Sequence, residues 1–188
     1  MRSLKEIIAT RRTIKPERYT GGLIPNEVVW EILESANWAP THGFTEPWRF
    51  VVFTGEGKVK LLNFLNALDD KLNGPNEIRG QKRAASFEAT SHIIAVGLKR
   101  GENPKIPELE ELLSVGMAVQ NMWLTTHDLG YGGYWSTGAL AFRDELRQFM
   151  GLSEADKALG FFYLGTPVKD LPTGRRISPI EDKVTWIA

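Results

Sequence analysis

Cysteine is absent from the 188 residues, which excludes disulfide frameworks, thiolate metal sites, cysteine nucleophiles and thiol redox chemistry. Any redox work therefore falls to a borrowed cofactor. Net charge is missing as well: 23 Lys and Arg balance 23 Asp and Glu. Without a global positive field there is nothing to hold nucleic acid or an anionic membrane, and an anion site has to be local. Long apolar runs are also lacking. The longest uncharged run, residues 112–127, includes Gln120 and Asn121 and falls short of the ~20 apolar residues of a membrane span. The opening residues carry Glu6 and no long apolar core, unlike a secretory signal, so a cytoplasmic location is expected.

Several catalytic signatures are missing too. His42, His92 and His127 are widely separated, with no H-x-x-x-H pair, so no metal site is expected. Ser136 lacks the preceding glycine of a nucleophile elbow, and no serine hydrolase is implied. Neither G-x-G-x-x-G between a strand and a helix nor a Walker G-K-S/T occurs; Gly130-Tyr131-Gly132-Gly133 follows a helix and leads into a strand, the reverse of the Rossmann order.

What is present suits one domain with a full core, at 42% apolar residues. Apolar spacing predicts helices over residues 3–11, 25–37 and 140–150, and a long one over 107–129. A further helix carries Val59, Leu61, Leu62, Phe64, Leu65 and Leu68. Strands are expected at 49–54, 92–98, 131–138 and 158–165. Residues 69–90, polar and without a clear period, read as a mobile excursion or lid ending in a short helix. Residues 101–111, with four Glu and two Pro, read as an exposed connection. The middle of the long helix is apolar around almost its whole circumference, which implies packing against a second subunit. Residues 166–188 form a Pro-containing tail ending in Trp186-Ile187, an apolar ending that needs a surface to dock on.

Residues 1–20 hold six Lys and Arg against two Glu. This cluster is either a solvated helix end, with cations near the negative pole of the macrodipole, or a local anion site. Arg11 and Arg12 offer guanidinium forks for phosphate, Thr13 a hydroxyl and Lys15 a point charge. Arg175 and Arg176 offer a second clamp. Trp135, Ser136 and Thr137 bring backbone amides and small polar groups, while Trp38, His42 and Trp48 could wall a ring system. Together these segments suit a flat, aromatic, phosphorylated ligand. His92, opening an apolar strand, reads as a hydrogen-bonded core residue. His127, in the last turn of the long helix, reads as a partner of the macrodipole.

These residues resemble the nitroreductase family of FMN-dependent oxidoreductases, and its short branch in particular. Arg11-Arg12-Thr13 looks like that family's R-R-S/T. Ala39-Pro40-Thr41-His42 and Glu46-Pro47-Trp48-Arg49-Phe50 are similar to its A-P-S/T and Q-P-W-x-F segments, with Glu46 in place of the usual Gln. The long helix ends in Gly130-Tyr131-Gly132-Gly133, and Phe161-Phe162-Tyr163-Leu164-Gly165-Thr166-Pro167 is similar to the late F-x-x-L-G-x-P strand.

The resemblance implies an α+β fold, a mainly antiparallel central sheet flanked by helices, as an intertwined homodimer with FMN at the subunit interface. It places Arg11, Arg12, Thr13 and Lys15 on the flavin and its phosphate, with Arg175 and Arg176 a looser match to a basic tail motif. Trp38, in a position that is often basic in the short branch, and His42 match positions reaching the FMN of the opposite subunit. Trp135, Ser136 and Thr137 match the stretch beside the ring. Thr125, Thr126, His127, Asp128, Leu129 and Gly130 match a segment assigned to the nicotinamide nucleotide. The implied activity is electron transfer from NAD(P)H through FMN to a nitroaromatic, quinone or similar electron-poor acceptor in a ping-pong cycle, with no side-chain nucleophile. Another flavin reaction of the same fold (dehalogenation, flavin fragmentation, ring oxidation) and a non-catalytic FMN-binding dimer are the alternatives.

Overall fold

The computed structural model describes residues 2–171 and 173–187; Met1 and, within the tail, Pro172 and Ala188 lie outside them. Helix α1 (Leu4–Thr10) starts from a capping box. Ser3 Oγ accepts from the Glu6 amide at 3.3 Å, and the Ser3 amide donates to Glu6 Oε2 at 2.7 Å. A 3-10 turn at Pro16–Arg18 leads to α2 (Asn26–Asn37), whose N-cap is Pro25. Strand β1 (Trp48–Phe53), α3 (Glu56–Asn73), α4 (Glu77–Ala89) and β2 (His92–Leu98) follow. Then come α5 (Glu108–Asp128), β3 (Gly132–Ser136), α6 (Asp144–Phe149), β4 (Lys157–Gly165) and an extended tail with one 3-10 turn at Glu181–Lys183.

All four strands form one antiparallel sheet in the order β1-β2-β4-β3, so the fold is α+β. Its buried centre is β2 and β4, and each face carries its own core. Ile94, Val96, Leu98, Phe162 and Leu164 pack under α2 and α5 with Ile32, Val119 and Met122. On the other face Ile93, Ala95 and Phe161 meet Leu61, Leu65, Phe87 and Leu146 from α3, α4 and α6. Between Ala95 and Gly97 on β2 the β4 partners run from Phe161 to Ala158, one residue more than the pleat requires, which is a bulge. Gly160 occupies it at φ +103°, where a Cβ would lie 2.2 Å from the Ser136 carbonyl oxygen. Only glycine allows β3 to approach β4 this closely.

Three expectations change. Residues 69–90 are not an irregular excursion: they complete α3 and form α4, which starts from an Asn76 cap accepting the Arg79 amide at 2.9 Å. The segment between 101 and 111 is only partly exposed, because Ile106 is buried and buried Glu111 pairs with Arg100. Helix α6 begins at Asp144 rather than 140, with residues 139–142 in turns. Within one chain the long helix has a buried face and an exposed one. Glu111, Ser114, Val115, Ala118, Val119, Met122 and Thr126 face the core, whereas Leu109 and Leu113 are 63% and 57% exposed, with Met117 beside them. His92 is a buried core residue as expected, with Nδ1 2.9 Å from Ser91 Oγ and Nε2 3.1 Å from Asn26 Oδ1. No helix among the described residues is long and apolar enough to cross a membrane.

Candidate functional site

The basic segment after α1 is stapled to the edge of the sheet. Thr13 bridges Gly133 in parallel, and the Ile14 amide donates to the Gly133 carbonyl at 3.1 Å. Tyr19 lies flat on two glycines: a Cβ at Gly165 would come 2.3 Å from its ring, and one at Gly132 would come 2.8 Å away. Its hydroxyl faces the carbonyls of Gly132 at 3.2 Å and Tyr163 at 3.1 Å. Burial pushes that hydroxyl's pKa far up, so Tyr19 acts as a neutral staple. The chain after β4 closes the other side, where the Val168 amide donates to the Arg18 carbonyl at 2.9 Å.

This frame brings cations together. The Arg11 guanidinium stacks over Trp123 at 4.5 Å from the ring centroid, and its Nη1 is buried with no hydrogen-bond partner among the described residues. Burial first, then the charges of Arg12 and Arg176, lower its pKa. Arg12 Nη1 donates to the carbonyls of Ala9 at 2.8 Å and Arg11 at 2.7 Å, and Gly174 of the tail lies against the Arg12 guanidinium. Arg11, Arg12 and Arg176 thus converge, with exposed Arg175 beside them in sequence. Such a cluster favours an anion, and the orphaned, half-buried Arg11 donor marks where a phosphate oxygen fits. On the Arg12 side of the cluster a cleft of about 670 Å³ opens between Arg12, Thr13, Lys15, Glu17 and the tail residues Leu171 and Thr173.

Lys15 links this cleft to a second one. Its Nζ lies 6.0 Å from the centre of the Tyr134 ring, and Tyr134 stacks on Tyr163 at 5.8 Å. Tyr163, Phe161, Ser136, Gly138 and Leu140 line a neighbouring cleft of about 700 Å³. Its far wall is a charged clamp from the segment read as a lid. Buried Asp69 accepts from Arg83 Nη2 at 2.8 Å, Asn73 Nδ2 at 2.7 Å and Arg79 Nε at 3.0 Å. These bonds, Arg83's first, hold the Asp69 carboxyl at about 2. Burial and the neighbouring Tyr134 push the Tyr163 hydroxyl up to about 12, so it stays a neutral donor. Ser136 faces this cleft. Trp135 points to the opposite core, with Nε1 donating to the Leu159 carbonyl at 3.0 Å, and Thr137 lies against Gly160.

Trp38 and His42 belong to a different face. Trp38 caps α2 and is 79% exposed, His42 Nδ1 pairs with Glu110 at the start of α5, and neither lines the two clefts. Next to them Phe44 (φ 54°) and Glu46 (φ 42°) adopt left-handed backbone, with Phe44 almost fully exposed. A single chain therefore does not bring Trp38 or His42 to Arg11.

The segment 125–130 ends α5. Thr126 is buried, Leu129 packs on the core and Gly130 turns the chain at φ +84°. Arg2 Nη2 donates to the carbonyls of His127 at 2.6 Å and Asp128 at 2.7 Å. Burial, followed by the charges of Arg2, Arg11 and Arg12, lowers the His127 pKa. His127 is therefore neutral, and Arg2 is the cation at the helix's negative pole, contrary to the sequence expectation. Asp69, Arg79, Arg83 and Tyr134 carried no motif, Tyr163 stood only at a variable position of the late strand motif, and Arg2 was one of six cations in the basic segment. The available signal was the i, i+4 spacing of Arg79 and Arg83 behind an Asn cap, and nothing local pairs them with Asp69. Among the described residues no group of His, Asp and Glu could hold a metal.

A family model described as the nitroreductase family matches residues 8–166. YdjA of Escherichia coli strain K12, named as a candidate NAD(P)H nitroreductase, is 36% identical over 141 residues, covering 75% of this chain and 76% of its own. The crystal structure of a nitroreductase-like family protein from Bacillus cereus is similar at a TM-score of 0.86 and 26% identity, covering 100% of this chain and 97% of that one. A candidate nitroreductase from Desulfovibrio desulfuricans, solved in complex with FMN, has a TM-score of 0.71 at 23% identity, covering 100% and 98%. At that identity the likeness shows the fold.

Proposed function

Because this chain belongs to the nitroreductase family, we propose that it is an FMN-dependent oxidoreductase that passes electrons from NAD(P)H to a small electron-poor acceptor such as a nitroaromatic or quinone. The observation that carries this is Arg11: stacked on Trp123, half-buried, flanked by Arg12 and Arg176, and holding a donor with no protein partner. Arg11, Arg12 and Arg176 would hold the flavin phosphate. Thr13 and Lys15 would run along its chain, and the cleft of Ser136, Phe161, Tyr163 and Arg83 would take the ring. FMN supplies the electron transfer when bound; the protein supplies binding, orientation and the exclusion of water. Donor and acceptor then take turns at one cleft, and no side chain has to act as nucleophile.

The outward face of α5, with Leu109, Leu113 and Met117, and the exposed tail residues Ile177, Trp186 and Ile187 support a homodimer. In it, Trp38 and His42 of one copy would reach the other copy's flavin.

Protein incubated with FMN is expected to keep the visible flavin absorbance through gel filtration and to oxidise NADH or NADPH with a nitroaromatic. Protein that stays colourless overturns the reading. Bound FMN that neither nucleotide reduces would make the chain a flavin-binding dimer without this activity. A Gly174→Ala variant tests the tail. The added methyl would meet the flexible end of Arg12, so FMN affinity should fall while thermal stability stays within about 0.5 kcal/mol of wild type, as read by fluorescence titration and a thermal melt.

A further inference from the structure

Helix α1 has seven residues, none of them buried, and a helix this short is not stable alone. Something outside it has to fix its last turn, since Arg11 and Arg12 follow that turn directly. The grip comes from the end of α5, at both ends of α1. Before the helix, Arg2 Nη2 donates to the His127 and Asp128 carbonyls at 2.6 and 2.7 Å, and its Nη1 lies 3.2 Å from His127 Nε2. At its last residue, Thr10 Oγ1 lies 2.9 Å from the same ring nitrogen. The Asp128 carbonyl is among those a helix end leaves without an intrahelical partner, and the His127 carbonyl also accepts from the Gly130 amide at 3.1 Å, so Arg2 completes the end of α5 as well as tying down α1.

We infer that Arg2, Thr10 and His127 form a latch that positions the phosphate-binding arginines, so that the segment expected at the nicotinamide nucleotide serves here to hold α1. This inference rests on the flavin reading above. The ring suits the task in its neutral form. Thr10 gives its own proton to the Glu6 carbonyl at 2.6 Å, so the ring holds it by donating Nε2–H to Oγ1, and a neutral ring sets no second cation against the Arg2 guanidinium beside it. Burial first, and then the Arg2, Arg11 and Arg12 charges, opposed by Asp128, lower the ring's pKa and favour its neutral form. These three are positioning residues, because none of them has to touch the flavin.

A comparison of FMN with riboflavin, which lacks the phosphate, separates positioning from general stability. Full-length wild type, Arg2→Ala and His127→Leu, freed of flavin, would be titrated with both ligands by flavin fluorescence. In the variants FMN affinity should fall about tenfold, the loss of one well-placed charge-assisted bond, while riboflavin affinity stays within about twofold. His127→Gln, which keeps an N–H donor, should recover most of the FMN affinity. Unchanged FMN affinity in both variants, or an equal loss for the two flavins, overturns the latch. If wild type binds neither flavin, the flavin reading itself falls and the latch with it. Wild type that binds FMN no more tightly than riboflavin removes the phosphate role and so also overturns the latch.

Discussion

Replacing Asp69 with asparagine should lower the unfolding free energy by about 3 kcal/mol. Removing one member of a buried ion pair typically costs about 3–5 kcal/mol, and the lower end applies because Arg79 is 40% exposed. The carboxylate binds α4 to α3 through Arg79, Arg83 and Asn73, and Arg83 would be left facing the cleft with its charge uncompensated. The pH dependence has a definite sign. A carboxyl held at about 2 against an ordinary 3.8 contributes stability that is fully present above the ordinary value and fades as the pH falls through about 2. Urea unfolding of wild type and Asp69→Asn should therefore show a gap that persists from pH 7 down to about pH 4, narrows below it and levels off near pH 2. A gap already closed at pH 4 would mean that the clamp does not hold in solution.

Arg11→Met should move affinity and stability in opposite directions. The methionine keeps an apolar stem against Trp123 and removes a charge that burial, Arg12 and Arg176 all disfavour. The flavin-free protein should thus melt at a higher temperature than wild type. FMN affinity should fall by about 10- to 150-fold, the worth of one hydrogen bond to a charged group at about 1.5–3 kcal/mol. Fluorescence titration and a thermal melt on the same preparations decide the matter. A lower melting temperature with unchanged FMN affinity would make Arg11 a structural cation.

Elements whose buried face is apolar and periodic were legible in the sequence. The heart of α5, β2 and β4 appear where the pattern places them, and Pro25 and Gly130 stand at helix ends through local chemistry. The basic segment was legible as a cluster, but its meaning was not. Arg11 becomes an anion donor only because Trp123 and the tail close around it, contacts made over more than 100 positions of chain. Helix α4 was illegible for a different reason. Its buried apolar content is Phe87 alone, and much of what holds it is charge meeting Asp69, which looks like any other surface carboxylate until the chain folds. The division of α5 into a core face and an outward face was also hidden, because a helix apolar all round does not say which side its own chain covers.

The bulge at Gly160 acts as a frameshift in the sheet. Before it, Ala158 belongs to the α3 and α4 layer and Leu159 to the α2 and α5 layer; after it, Phe161 and Tyr163 take the first layer and Phe162 and Leu164 the second. Odd-numbered positions therefore change sides at one residue. A strand that kept residue 160 but ran through without the bulge would alternate regularly and leave its composition untouched. It would also hand Phe162 and Leu164 to the cleft and bury the Tyr163 hydroxyl among aliphatic side chains. The aromatic wall beside the candidate ring pocket thus depends on the parity of a count, and the one residue that sets that parity has no side chain of its own.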